Sequence, residues 1–384
     1  TTALSAQYFG SGRKSMCPVV LTQGVLITVI AYPLLMLCKP LVHSAFRGMN
    51  ISSDQLIPQI AYFDALIWII LPSLLRSCFS SFFAGIGRTR IVMLSSVVML
   101  VINIPLNYML VFGKFGCPEL GIVGAAYGSI ISACASVLML GAVYFGSSIR
   151  KEYDIHRSFR ADAEIMKKLL RFGYPAGLEI LLNMLAFTAM IMIFQSVSPA
   201  VAAAVTIVIN WDIVSFVPLI GIEIGVTSLV GRFMGQKNPD LAHKAAMSGI
   251  KFGMCYSAIV FVLFMFIPGY LVQIFRPEHA SSVFQDAVPT AVNMLRMACL
   301  YVMLHSVIIS IAGALRGAGD TLWAMILTVG LHWVLLPVLY VLLHVFGQPA
   351  ETAWFSLIII FFLFVGLIVR RYRKGAWRHI RLTD

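Results

Sequence analysis

The sequence predicts an all-α membrane protein made of two pseudo-symmetric helix bundles. Three observations lead there: its composition, the spacing of its apolar runs and the placement of its basic residues. Of the 384 residues, 60% are hydrophobic and 11% charged, well under the roughly 25% charge of an ordinary soluble domain, and the mean hydropathy is +0.91. Crossing a hydrocarbon layer takes about 20 apolar helical residues, and such runs recur ten times along the chain.

Charged loops delimit the ten spans in order. The first, 16–38, follows the turn holding Arg13 and Lys14. The second, 59–84, stops short of Arg88 and Arg90, which separate it from the third, 91–112. Lys114 precedes the fourth, 121–146, and the stretch from Arg150 to Arg171 separates that from the fifth, 172–197. The sixth, 201–230, leads to Arg232 and Lys237; the seventh, 245–268, leads to Arg276; the eighth, 287–314, leads to Arg316. The ninth and tenth, 322–346 and 351–369, run out and back to a tail opening at Arg370. With the 10–15 loop in the cytoplasm, 22 of the 28 Lys and Arg residues fall on that side; Lys39, Arg47, Lys114 and Arg276 fall on the other, and Arg76 and Arg296 lie inside spans. Such alternation is what the positive-inside rule demands, and a wrong span count would scramble it.

The net charge of +12 therefore records orientation and excludes nucleic acid as the partner. A multi-pass protein of the inner or plasma membrane is expected, with a cytoplasmic C-terminus. The seven cysteines form no CxxC pair and give no metal or disulfide framework. The chain opens at Thr1 on a short apolar stub, from which no signal peptide is expected.

Internal similarity divides the chain. Thr2, Leu4 and Gly10 match Thr227, Leu229 and Gly235 at an offset of 225, and Gly85-x-Gly-x-Thr89 matches Gly317-x-Gly-x-Thr321 at 232. The same register sets Pro105 and Tyr108 on Pro337 and Tyr340. Both glycine turns lie on the basic face, so the repeats run in the same direction, one of the two symmetric transporter plans. The expected lobes are 1–146, with four full spans and a stub, and 172–369, with six. Between them lies a cytoplasmic linker, 147–171, carrying a short surface helix from Asp162 to Arg171; a basic cytoplasmic tail covers 370–384. The second half starts some 54 residues before Val226, the counterpart of Thr1. The first half is thus expected to lack one helix and most of another, leaving about ten spans of an intact twelve.

Ionisable residues inside spans are the sharpest functional signal. Each costs roughly 2.5–3.5 kcal/mol at the helix centre, so its presence invites a partner or a role. The second half carries Glu179, Asp212 and Glu223. At 1.5 Å per residue, Glu179 and Glu223 lie at similar depth, about 12 Å from the basic side, on consecutive antiparallel helices. Facing each other, two such carboxylates would share a proton. Asp212 sits on the same face as Glu223 but deeper, and Asn183 continues a polar stripe one turn from Glu179.

At this point a family resemblance appears. The stretch from Asn103 to Gly128 (NIPLNYMLVFGKFGCPELGIVGAAYG), with the turns at Gly85-x-Gly-x-Thr89 and Leu315-Arg-Gly-Ala-Gly-Asp-Thr321, resembles the multidrug and toxic compound extrusion (MATE) transporters, most closely the NorM-like branch. The resemblance covers essentially the whole chain. It implies no enzyme activity and no cofactor, but a secondary active antiporter that exports amphipathic or cationic organic compounds by alternating access. H⁺ or Na⁺ would be the coupling ion, and a monomer is expected. Members often carry a carboxylate at the places of Asn183 and Asn210; here Glu179 and Asp212 stand nearby instead. His305 occupies a position where the family often has Asp or Glu, and histidine titrates near neutrality. In the first half, Asn103 and Asn107 fill a cavity position that one branch charges with Asp. The expected cation-coupling or substrate residues are therefore Glu179, Asn183, Asp212, Glu223 and His305. Asn103 and Asn107 are a possible N-lobe cavity and Trp211 is a possible aromatic contact.

The alternative within transport is a flippase or exporter of lipid-linked or polysaccharide precursors, which calls for a strongly cationic cavity. An intramembrane enzyme would need an HExxH, GxSxG or facing His/Cys cluster inside spans, and none is present.

Overall fold

The structure, a computed structural model, describes residues 1–48, 53–277, 282–380 and 382. Within the predicted basic tail, Arg381 and residues 383–384 lie outside the described residues. Every regular element among the described residues is helical, and ten helices are long and apolar enough to cross a membrane. Each of the ten predicted spans coincides with one of them. The chain divides into two units, Thr1–Leu169 and Leu170–Asp384.

The first unit contains α1 (Thr2–Gly10), α2 (Met16–Leu37), α3 (Lys39–Gly48), α4 (Ser53–Leu66), α5 (Ile70–Gly85), α6 (Thr89–Phe112), α7 (Gly121–Phe145) and α8 (Ser147–Tyr153). α4 and α5 make up the predicted span 59–84, joined by a 3₁₀ turn at Ile67–Ile69. Pro72 has no N–H for the carbonyl four residues back, and the helix tightens there. α6 and α7 approach closely through Gly124 and Gly128. A methyl group on Gly124 would stand 2.4 Å from the Leu110 carbonyl oxygen, whereas one on Gly141, on the same helix, would meet nothing within 4 Å. Small residues spaced by four are how membrane helices bring their backbones together. Gly124→Ala is expected to cost about 1–3 kcal/mol by overpacking, and Gly141→Ala to be neutral or slightly stabilising. Melting of the two purified variants in detergent checks this, and equal melting temperatures would contradict it.

The sequence placed a separate surface helix at Asp162–Arg171. Instead, those residues open α9 (Ala163–Gln195), which runs unbroken through Pro175 for 33 residues. Ile165 and Leu169 are already buried, so the apolar stripe of the span starts before Phe172. A single proline also costs a membrane helix little that its neighbours cannot resupply. The approach to α9 is strapped to α2: the Gln23 side chain donates to the Arg160 carbonyl (2.7 Å) and accepts from the Asp162 N–H (3.2 Å).

The second unit continues with α10 (Pro199–Gly235), α11 (Pro239–Phe266), α12 (Pro268–Gln273), α13 (Ser282–Ala318), α14 (Thr321–Tyr340) and α15 (Ala350–Arg373). α10 and α11 open on Ser-Pro and Asn-Pro, where Ser198 and Asn238 side chains cap the Val201 and Leu241 N–H groups. α13 is the central helix. Of its apolar window 72% is buried, against 39% or less in any other span, and it packs on α10, α11 and α15. Its last turns are rich in small residues for this reason: methyl groups on Gly313 and Gly317 would come within 2.9 and 2.6 Å of the Glu223 and Thr227 carbonyl oxygens of α10.

The repeat read from the sequence recurs in the backbone. The Arg88 N–H donates to the Phe83 carbonyl at 2.8 Å, and the Asp320 N–H to the Leu315 carbonyl at 2.8 Å, both pairs offset by 232. Gly85 meets the Thr2 carbonyl and Ala6 N–H of α1 as Gly317 meets those of Thr227 and Gly231. Gly87 and Gly319 take positive φ, +81° and +104°, which a side chain at either place would strain. Ion pairs anchor both turns with reversed polarity: Arg88 to Glu152 (2.8 Å) in the first unit and Arg371 to Asp320 (2.8 Å) in the second. A hydrogen bond from Lys14, reinforced by the Lys14 and Arg88 charges, holds the Glu152 carboxyl below the usual carboxylate range.

Candidate functional site: carboxylates inside the second unit

α9, α10 and α13 bring Glu179, Glu223 and Arg316 together. Arg316 Nη2 donates to Glu179 Oε1 at 2.7 Å, and Nη1 donates to Glu223 Oε1. Thr328 of α14 adds its hydroxyl to the same Glu179 oxygen at 2.6 Å. Glu179 is 2% exposed. The two carboxylates expected to share a proton do converge, but through a guanidinium. Arg316, just beyond the predicted span 287–314, lies inside α13, because Gly313 and Gly317 draw that face of the helix against α10. A planar fork can serve two carboxylates at once, so shared protonation is not needed to hold them together. Glu179 Oε2, Asn183 Oδ1 and Arg316 Nε are buried without a hydrogen-bond partner among the described residues.

Asp212 does not join this cluster. Eleven residues before Glu223, about 16 Å along the same helix, it accepts a 2.5 Å hydrogen bond from the Tyr301 hydroxyl of α13. Its other oxygen, Oδ1, is buried with no partner among the described residues. Tyr301 stacks on Phe361 (5.5 Å, 21°), and His305, one turn along α13, meets Phe361, Phe216 and Tyr301 edge-on at 4.4, 5.4 and 5.9 Å. Asp212 and His305 thus border one aromatic cluster. Trp211 is tied elsewhere: its indole N–H donates to the Leu271 carbonyl at 3.1 Å and its ring meets Phe275 edge-on.

In the first unit, Asn107 donates to Asn103 at 3.1 Å, and Asn103 reaches the Ser129 and Ser132 hydroxyls of α7. Asn107 Oδ1 lies where a methyl group on Gly128 would fall, so this pair fills the α6–α7 crossing. Arg76 donates to the Ser96 and Ser136 hydroxyls, and Asp64 pairs with Lys39 and His43.

Ten membrane-length helices, a glycine turn that recurs in both units and ionisable side chains held inside the spans define a polytopic membrane transporter. The MatE family model matches residues 1–109 and 175–342, and the chain belongs to that family. It is 26% identical over 364 residues to a probable multidrug resistance protein NorM of Bacillus anthracis, covering 94% of this chain and 79% of that protein. Among solved structures, a MATE protein in the straight conformation superposes with a TM-score of 0.86 at 21% identity, over 98% of this chain and 83% of the other. A MOP-superfamily transporter from Pyrococcus furiosus, described as having a binding pocket of reverse polarity, superposes at 0.85 with 20% identity, over 98% and 85%. At these identities the two structures speak for the fold.

Tyr301, Arg316 and Thr328 join the site in the structure without standing out as site residues in the sequence. Tyr301 lies one turn from His305, a signal available but lost among 12% aromatics. Arg316 stands between two glycines four residues apart, the mark of close helix contact.

Proposed function

We propose that this chain exports amphipathic, cationic organic compounds by alternating access, coupled to proton entry, with Asp212 as the coupling carboxylate. One observation carries the reading: Asp212 sits deep in a membrane helix with one oxygen on Tyr301 and the other buried with no partner among the described residues. A carboxylate so placed is expensive unless it gains a positive ion. A hard cation wants several oxygen ligands, whereas Asp212 borders an aromatic cluster, which favours the proton over sodium. Glu179 and Glu223 are already served by Arg316 and act as its counter-charges, and two acids against one base are consistent with cationic cargo. The relatives named for multidrug resistance support organic substrates. The basic side faces the cytoplasm of a cell membrane in this reading.

With the protein reconstituted in liposomes, a fluorescent organic cation is expected to move when a proton gradient is imposed, and not with a sodium gradient alone. Sodium-driven transport would replace the coupling ion, and no response to either gradient would remove the proposal.

A further inference from the structure

We infer that the basic end of α15 carries a binding site for an anionic phospholipid, separate from the intramembrane carboxylates. A cavity of about 550 Å³ opens between α11, α13 and the α15 end. Its floor is apolar, formed by Met247, Ile250, Val307 and Ile311, while Arg373 and Arg378 stand at its rim. A second cavity of about 430 Å³ shares Val369 and Arg373 and adds Arg370 and Lys374. One wall is built rigidly: Tyr372 hydrogen-bonds His243 (3.0 Å) and stacks on Trp377 (5.0 Å, 14°), which is 1% exposed.

The chemistry of this groove selects its occupant. Arg378 is partly engaged by Asp240 at 3.4 Å, but no acidic side chain among the described residues pairs with Arg370, Arg373 or Lys374. The cations stand where a 24-residue apolar helix ends, at headgroup height on whichever side that end lies. Basic pockets between helices at the interface take lipid headgroups, each cation near the surface contributing about 1 kcal/mol. An apolar floor beneath arginines suits a molecule with an anionic head and acyl chains. It repels the cationic cargo proposed above, so the inference stands independently of that proposal.

The purified, delipidated chain is titrated with short-chain phosphatidylglycerol, phosphatidylcholine of the same chains and glycerol phosphate, and bound lipid is counted by native mass spectrometry. Phosphatidylglycerol is expected to bind in preference to phosphatidylcholine. Arg373→Gln should weaken it about fivefold and Arg373→Gln with Lys374→Gln about 25-fold. Arg373→Lys should bind as the parent does, as should Arg90→Gln, which removes an exposed cation of the other unit. Equal retention of both lipids, an unchanged Arg373→Gln, or the same loss in Arg90→Gln overturns the site. Displacement by glycerol phosphate at lipid-like concentrations overturns the assignment to lipid.

Discussion

Replacing Arg316 with methionine will destabilise the second unit by about 3–5 kcal/mol, the usual cost of removing one partner from a buried ion pair. Arg316 joins α9 and α10 to α13, and Glu179 at 2% exposure has no water to turn to. Methionine keeps much of the stem's volume, so the loss is electrostatic rather than a cavity. The same argument predicts rescue: adding Glu179→Gln and Glu223→Gln removes both stranded charges and should return most of the lost stability. Monodispersity and melting in detergent measure both steps. If Arg316→Met alone melts like the parent, the guanidinium does not hold these helices together.

Asp212→Asn is expected to lower gradient-driven efflux by about 5–150-fold, the range of a coupling free energy of 1–3 kcal/mol, while leaving the fold intact. Asparagine is nearly isosteric and its carbonyl can still accept from Tyr301, so the packing around Phe361 and His305 is preserved. What disappears is the capacity to gain and lose charge. Glu179→Gln tests the alternative, because it spares Asp212 and leaves Glu223 on Arg316. Liposome efflux of both variants, with melting as the control for folding, separates the roles. Normal pumping by Asp212→Asn would move coupling away from this residue.

The ten spans were legible because a membrane helix advertises itself by length and composition, and the charge alternation checked their number. The repeat was legible too, since its glycines answer to backbone contacts that recur atom for atom: Gly85 on Thr2 and Gly317 on Thr227. Glu179, Asp212 and Glu223 were visible as acids in apolar runs. Their partners were not. A basic residue immediately before a glycine-rich turn reads as a loop residue, and only the approach of α10 to Gly313 and Gly317 shows that α13 carries Arg316 inside. Tyr301 and Thr328 are ordinary residues of apolar helices until a carboxylate is placed beside them. The surface helix at 162–171 failed because an apolar stripe that begins before the hydrophobic run cannot be separated from it by hydropathy alone.

The enclosure of α13 also bears on descent. A helix touched on nearly every side accepts a new residue only when its neighbours change in concert, so this stretch should drift slowly while outward faces such as that of α6 exchange one oily side chain for another. Distant kin would then be recognised most readily by the cadence of small residues along this one rod.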